Sequence, residues 1–468
     1  MLKVTLINPP QSTSYPQPPI GLALIAAVLE REGYQVTVLD ANVLGLSPKE
    51  LAPLVTDADV IGLTAMTPTV SAAISTACHL KQANPTQTIL LGGVHATLLP
   101  DETLAKAPEL DIIVRGEGEE TIIELLQALE KKHPLDNISG ISYRANGKVV
   151  SAASRLSNVD IEALPFLAYN SLPLPKYKPH PPHGRALPFA AIVTSRGCPY
   201  HCAYCSKPVF GSKFRAQSPE RVIEEIIYLK EIFGIKEIHF YDDVFTLDKK
   251  RVHAIADAII KKGIKIFWTC ETRVNLVDEE LLRHMKQAGC YAVSYGIESA
   301  VPEILDTISK DITLEQVETA VHLSREAGLE TAGYFMIGSP GESPETIQQT
   351  IQFAKKLKLD FAQFAVTTPF PGTKLYDLLG DKGDDIPWES FVYSGADSQI
   401  TPVFESDSLN RNDLKHWTRR AYREFYLRPS YIWQRLRRVK SLGELKMSLK
   451  GFSMLLQSII PSRRKATK

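Results

Sequence analysis

"FAAIVTSRGCPYHCAYC", residues 189–205, is a β-forming apolar run that breaks at Ser195 and Gly197 into a loop carrying Cys198, Cys202 and Cys205. Such a run reads as a buried strand. Thiols at spacing C-x3-C-x2-C on one loop can converge on a single metal centre, and soft thiolates select zinc or an iron–sulfur cluster. A closed zinc site wants a fourth ligand, usually from a second C-x2-C pair, and the chain has no such pair. His201 adjoins Cys202, a placement that turns its ring away. A cubane cluster held by three cysteines instead leaves one iron open to a further ligand. The other cysteines, Cys78, Cys270 and Cys290, are isolated in the sequence. They read as small buried hydrophobes, with no disulfide framework.

Outward from this loop, strand-like and helical runs alternate. From Leu187 on, "FAAIVT", "KEIHFY", "KIFWTC", "AVSYG", "TAGYFMIG" and "FAQFAVT" fit six strands, separated by helical patterns such as "PERVIEEIIYLKEIFG". Six parallel strands with crossover helices predict an open, partial (β/α)6 barrel with chemistry at the carboxyl ends of its strands. Towards the N-terminus, "KVTLINP", "YQVTVLD", "DVIGLTAM", "TILLGG" and "DIIVRG" alternate with "IGLALIAAVLEREG", "SAAISTACHLKQA" and "EETIIELLQALEKK". That pattern predicts an α/β, doubly wound, Rossmann-like domain with ligands beyond its strand ends. We place this domain at 1–135, a proline-rich linker at 136–185 ("SLPLPKYKPHPPHG" is its densest part), the barrel at 186–386 and a basic helical extension at 387–468.

The formal net charge of zero hides an asymmetry, since residues 409–468 hold 16 Lys and Arg against Asp413, Glu424 and Glu444. Leu442, Leu445, Leu449, Phe452, Leu456 and Ile459 recur at helical spacing among these charges. The stripe fits either a packing face or a basic amphipathic helix on an anionic membrane. Upstream, "WTRRAYREFYLRPSYIWQRLRR" interleaves arginines with aromatics, a pattern open to nucleic-acid contact or to a place over an active-site mouth. The apolar run at the N-terminus is too short for a signal peptide, so the expected location is cytoplasmic.

The loop after the first barrel strand, with Tyr204 in the aromatic slot of C-x3-C-x-aromatic-C, resembles the signature of the radical S-adenosylmethionine superfamily. The resemblance implies a [4Fe-4S] cluster on Cys198, Cys202 and Cys205, whose open iron chelates S-adenosylmethionine, and reductive cleavage to a 5′-deoxyadenosyl radical. It further implies contacts from Tyr241, Asp242 and Asp243 ("HFYDDVFT") to the methionine amino group and from Arg273 ("WTCETRVN") to its carboxylate. Glu298 and Ser299 ("SYGIESA") are expected at the ribose or methionine. Gly338 ("GYFMIGSPGES") is expected at adenine, although Gly338 and Glu342 miss the family spacing by one residue. "TPFPGTKLY" is similar to the sixth-strand end of this branch.

A doubly wound domain ahead of such a barrel resembles the cobalamin-binding module of class B members, the group of the anaerobic Mg-protoporphyrin monomethyl ester cyclases and hopanoid methylases. Related modules carry D-x-H-x-x-G, then S-x-L, then G-G. This chain has "DANVLG" from Asp40 to Gly45, "TAM" from Thr64, and Gly92 with Gly93. Asn42 stands where the ligand imidazole would be, so the resemblance implies cobalamin contacts from Asn42, Gly45, Thr64, Gly92 and Gly93 without histidine below the cobalt. His95 is expected to line the pocket. The alternative is a domain kept as scaffold alone.

The implied reaction is methylation of an unactivated carbon of a hydrophobic or lipid-like substrate; oxidative cyclisation, ring modification and carbon–carbon coupling are the alternatives of the same architecture. Transfer-RNA methylthiolation would need further N-terminal cysteines, and only Cys78 is there. A sensor without turnover would not need the barrel motifs. The expected partners are a small-molecule or lipid substrate, an electron donor such as flavodoxin or ferredoxin, and a peripheral membrane contact through the tail. Nucleic acid is not expected.

Overall fold

The computed structural model describes residues 1–438 apart from 12, 14, 156–158, 180–183, 384, 393–401 and 406–407. The five expected N-terminal strands form: β1 (Lys3–Asn8), β2 (Gln35–Asp40), β3 (Val60–Thr64), β4 (Thr88–Gly92) and β5 (Ile112–Val114). All are parallel, in the order β2-β1-β3-β4-β5. The order reverses between β1 and β3, where a doubly wound sheet opens a crevice at its carboxyl edge. Alternate side chains serve the two faces. Val4, Leu6 and Leu90 meet the helices Ile20–Arg31 and Gly118–Lys131, whereas Ile7, Ile61 and Leu91 meet the helix Val70–Ala83.

The expected linker is corrected in part. Within 136–185, β6 (Ile141–Ala145) and β7 (Lys148–Ser151) form an antiparallel hairpin that extends the sheet beyond β5. Its turn is Asn146-Gly147, both at positive φ (50° and 75°), the combination that tight hairpins favour. The following residues pack back onto the N-terminal domain. Ala168 N donates to Ala23 O at 3.1 Å, and the buried Tyr177 hydroxyl donates to Asp40 at 2.9 Å.

The barrel opens with β8 (Phe189–Ile192), followed by a short antiparallel ribbon of β9 (Ser195–Arg196) and β10 (Arg215–Ala216) that frames the cysteine loop. β11 (Glu237–Phe240), β12 (Phe267–Thr272), β13 (Cys290–Glu298), β14 (Glu330–Ile337) and β15 (Phe361–Val366) then continue from β8 in chain order, all parallel. Each main crossover helix starts at a hydroxyl or carboxylate cap: Ser218, Asp248, Asp278, Thr313 and Ser343 each accept from the backbone N–H three residues on. Such caps fix where each strand-end loop stops and its helix begins.

An open sheet leaves edge groups to be covered. On β8 the Tyr169 hydroxyl donates to Ala191 O. On β15 the Tyr426 hydroxyl accepts from Ala362 N (3.0 Å) and donates to Ala362 O (2.9 Å), while Tyr422 accepts from Phe364 N (3.3 Å). These aromatics belong to the helix Arg411–Tyr426, so this part of the extension is a packing element of the barrel. Tyr426→Phe strands two edge groups and is expected to lower stability by about 1–2 kcal/mol, read as a drop in melting temperature; an unchanged melt would refute this role. The stripe from Leu442 to Ile459 lies outside the described residues. Among those described, no helix is long and apolar enough to cross a membrane.

Candidate active site

The cysteine loop is held from every side. Asp242, buried at the end of β11, accepts from Thr194 N (2.6 Å), Thr194 Oγ1 (2.7 Å) and Ser195 Oγ (2.8 Å). Asp243 accepts from Gly197 N at 3.1 Å. Gly197 has φ +85°, and a Cβ there would lie 2.2 Å from Lys213 O, so only glycine lets the two arms of the loop close. Gly197→Ala is accordingly expected to displace the loop and reduce the iron bound after reconstitution; normal iron content would contradict that. Lys207 Nζ donates to Cys198 O (2.8 Å) and to Tyr200 O.

Arg273 lies beneath the loop. Its guanidinium stacks on Tyr200 at 3.7 Å, donates to Lys310 O and Asp311 O, and reaches Cys202 Sγ at 3.5 Å. Tyr204 donates to Glu298 Oε1 at 2.9 Å, and Lys310 Nζ meets both the carboxylate and the phenol oxygen at 2.8 Å. Glu298 itself is at φ +69°. Cys205 is pushed up to about 11, first by burial and then by the charges of Cys202 and Cys198, and burial also raises Cys198. The thiols therefore sense one another, and a cationic centre would relieve that repulsion. Among the described residues no three His, Cys, Asp or Glu side chains converge on a single ion. Cys198, Cys202 and Cys205 share one loop and act on one another electrostatically, and three thiols so grouped fit a cubane that takes each on a separate iron.

Cys198 and Cys205 open onto a cavity of about 600 Å³ between the two domains. Thr64, Gly92, Gly93 and Gly116, at the ends of β3, β4 and β5, line its other side, and apolar side chains such as Leu22, Ile25, Leu90 and Ile122 carry it under the helix Ile20–Arg31. At Gly21 and Gly116 a Cβ would meet nothing within 4 Å, and at Gly92 only Val114 O at 3.8 Å. These glycines keep open a wall that side chains would fill, which fits a broad ligand such as a corrin. Gly93 acts differently. At φ +97° its Cβ would lie 2.8 Å from Ala65 O, so this glycine serves the close approach of β3 and β4.

Burial pushes the cavity-lining Glu225 up to about 7. Its folded-state value lies above the unfolded one, so the folded chain holds a proton that the unfolded chain releases, and stability falls as pH rises from about 4.5 towards 7. Glu225→Gln should flatten that part of the pH profile of the melting temperature. An identical profile in wild type and variant would contradict this.

The two domains meet through ions. Arg196, on β9, pairs with Glu117 (2.7 Å) and Glu119 (2.6 Å), and Arg215, on β10, pairs with Glu117 (2.7 Å). Arg196, Glu117 and Glu119 are all buried. The acids directly follow the cavity wall at Gly116, and Arg196 stands two residues before Cys198. The ion pairs thus fix the glycine wall against the cysteine loop.

Several sequence expectations are corrected by geometry. Asn42 and Gly45 do not line the cavity; Gly45 ends the short helix Ala41–Leu44 in the left-handed conformation, which explains its glycine. His95 does not line it either. The ring is buried, lies edge-on to Trp388 at 4.6 Å, and has Thr67 and Thr103 hydroxyls at its two nitrogens (3.3 and 3.1 Å). Burial, then Lys106, lowers its pKa to about 4. Asp242 accepts from Thr194 and Ser195, and Ser299 meets Thr350 (3.4 Å) and Val301 N (3.2 Å). Gly338 lies under Leu414, whose Cδ2 would be 2.4 Å from a Cβ there. Tyr241 donates to Gln17 across the domain boundary at 3.1 Å. Arg273, Tyr204 and Glu298 gather at the loop, and Asp243 joins Cys198 and Cys205 on the cavity wall. Lys207, Lys310 and the Arg196–Glu117–Glu119 group were missed. The acids stand in "RGEGEET", residues 115–121, and nothing in one sequence pairs them with arginines on a distant strand.

A three-cysteine loop at the end of the first barrel strand, facing a glycine-walled crevice on a doubly wound domain, defines an enzyme class that combines a cluster with a corrin. Residues 192–354 match the radical SAM superfamily and residues 11–126 the B12 binding domain. The chain is 38% identical over 443 residues to an uncharacterized methyltransferase of Pyrococcus horikoshii, covering 92% of this chain and 94% of that one. It is 31% identical over 449 residues to the anaerobic magnesium-protoporphyrin IX monomethyl ester cyclase of Rubrivivax gelatinosus, covering 93% and 79%. The chain belongs to the cobalamin-binding class of the radical SAM superfamily. It is a radical SAM enzyme whose cofactors are a [4Fe-4S] cluster, S-adenosylmethionine and cobalamin. The fold is shared with OxsB bearing aqua-cobalamin (TM-score 0.74, 17% identity, 98% of this chain and 72% of that one). It is shared too with TsrM of Kitasatospora setae (TM-score 0.67, 20% identity, 80% and 74%).

Proposed function

We propose that the enzyme methylates an unactivated carbon of a hydrophobic substrate. The observation that carries this reading is the interdomain cavity, bounded by Cys198 and Cys205 on one side and by Gly92, Gly93 and Gly116 on the other. When bound, the cluster with S-adenosylmethionine supplies a hydrogen-abstracting radical, and cobalamin supplies a methyl group. Cys198, Cys202 and Cys205 would hold the cluster. Arg273 and Lys207 keep their loop in place, while the Glu298–Lys310 pair orients Tyr204 at its edge. The glycine wall would receive the corrin. The apolar lining excludes water, which protects a carbon radical from side reactions, and it favours a substrate with little polar surface.

Names among the relatives support methyl transfer and also a second reading, oxidative ring closure, since one relative is a cyclase. A reduced flavodoxin or ferredoxin is the proposed electron donor, and the basic tail the proposed contact with an anionic membrane. The deciding experiment incubates protein reconstituted with cluster and cobalamin anaerobically with reduced flavodoxin, methyl-deuterated S-adenosylmethionine and apolar cell extract. The expected product carries the labelled methyl on carbon. A product that has lost hydrogens without gaining label would establish the cyclase reading instead.

A further inference from the structure

The interdomain cavity is largely apolar, yet its wall carries oxygens with no hydrogen-bond donor. Glu225, on the helix Pro219–Phe233, is buried and makes no hydrogen bond among the described residues; its nearest cation, Arg221, is one turn away with Nη1 at 3.9 Å. Gln217 donates through Nε2 to Ile161 O at 3.3 Å, which fixes the orientation of its amide and leaves Oε1 buried without a donor. From the facing domain, Glu119 gives Oε1 to Arg196 at 2.6 Å while Oε2 stays unpaired. All three residues line the cavity. Buried acceptors are almost always satisfied, so acceptors left over on a cavity wall imply a ligand that brings donors.

The ligand's donors should be neutral. Arg196 already pairs with Glu119 at 2.6 Å and Arg221 stands 3.9 Å from Glu225, and a cationic ligand would face their repulsion. Primary amides answer this need, and the rim of a corrin is studded with them. We propose that Gln217 and Glu225, with Glu119 Oε2 opposite, form a subsite that accepts hydrogen bonds from the rim amides of cobalamin. This rests on the cofactor assignment above and adds to it the side chains that read the cofactor's edge. The same chemistry could come from an amide-bearing substrate, so the test omits substrate.

The full chain with reconstituted cluster is titrated, by absorbance, with hydroxocobalamin and with dicyanocobinamide, which keeps the rim amides and lacks the nucleotide. Gln217→Leu and Glu225→Met should each weaken both ligands by about tenfold. Glu225→Gln, which keeps a carbonyl acceptor, should restore near wild-type affinity. The cobalamin-free melting temperature of Glu225→Met should be unchanged or higher, because a purely structural role would lower it. Unchanged affinities, a loss confined to hydroxocobalamin, or a loss that Glu225→Gln does not rescue would each overturn the subsite. Failure of wild type to bind either ligand would overturn the cofactor assignment as well.

Discussion

Cys202→Ala protein, reconstituted and reduced without oxygen, is expected to release no 5′-deoxyadenosine from S-adenosylmethionine above the level seen without iron. In the proposed site Cys198, Cys202 and Cys205 hold the cluster, and a centre with one open position is not expected to survive the loss of a second ligand. Cys202 is also the thiol that Arg273 Nη1 reaches at 3.5 Å, from a guanidinium held by Lys310 O, Asp311 O and the Tyr200 ring. Arg273→Lys would keep the charge and lose the planar fork that does this, so it should bind iron but cleave S-adenosylmethionine more slowly. Cleavage by Cys202→Ala at the wild-type rate would remove the cluster from the account.

Arg196→Met should destabilise the chain by about 3–5 kcal/mol, the usual cost of breaking a buried ion pair. Glu119 would lose the one partner its Oε1 has among the described residues, while Glu117 would keep Arg215. Because the pair joins the cavity wall to the cluster loop, cobalamin affinity should fall together with the melting temperature. Adding Glu119→Gln removes the stranded charge and should recover a large part of the lost stability, though not the registration of the two domains. Equal melting temperatures for wild type and Arg196→Met would show that the ions do not hold the interface.

Most of the scaffold was legible because its signals are local. Short apolar runs such as "FAAIVT" and "TILLGG", bounded by glycine or polar loops, read as buried parallel strands, and both became β-strands where expected. The loop cysteines were legible for the same reason: their spacing is itself the chemistry. The hairpin at 141–151 was hidden by the prolines that follow it, although Asn146-Gly147 is a strong turn signal. At the site, residue type was a poor guide to role wherever partners come from elsewhere in the chain. Asp242 looked like a ligand-binding acid and is taken up by Thr194 and Ser195; His95 looked like a pocket residue and is enclosed by Thr67, Thr103 and Trp388. Lys310 is illegible without the fold, because Glu298 and Tyr204 are brought to it by different strand ends. The aromatics of the basic extension were ambiguous until β15 supplied the backbone groups that Tyr422 and Tyr426 satisfy.

The central claim is that the cluster loop and the corrin wall face one cavity. Electron paramagnetic resonance of the full chain tests it without any substrate. Protein loaded with both cob(II)alamin and the reduced cluster should give a spectrum broadened and split by dipolar coupling between the two spins. A spectrum equal to the sum of the two singly loaded proteins would place the centres too far apart to share a substrate, and would contradict the account.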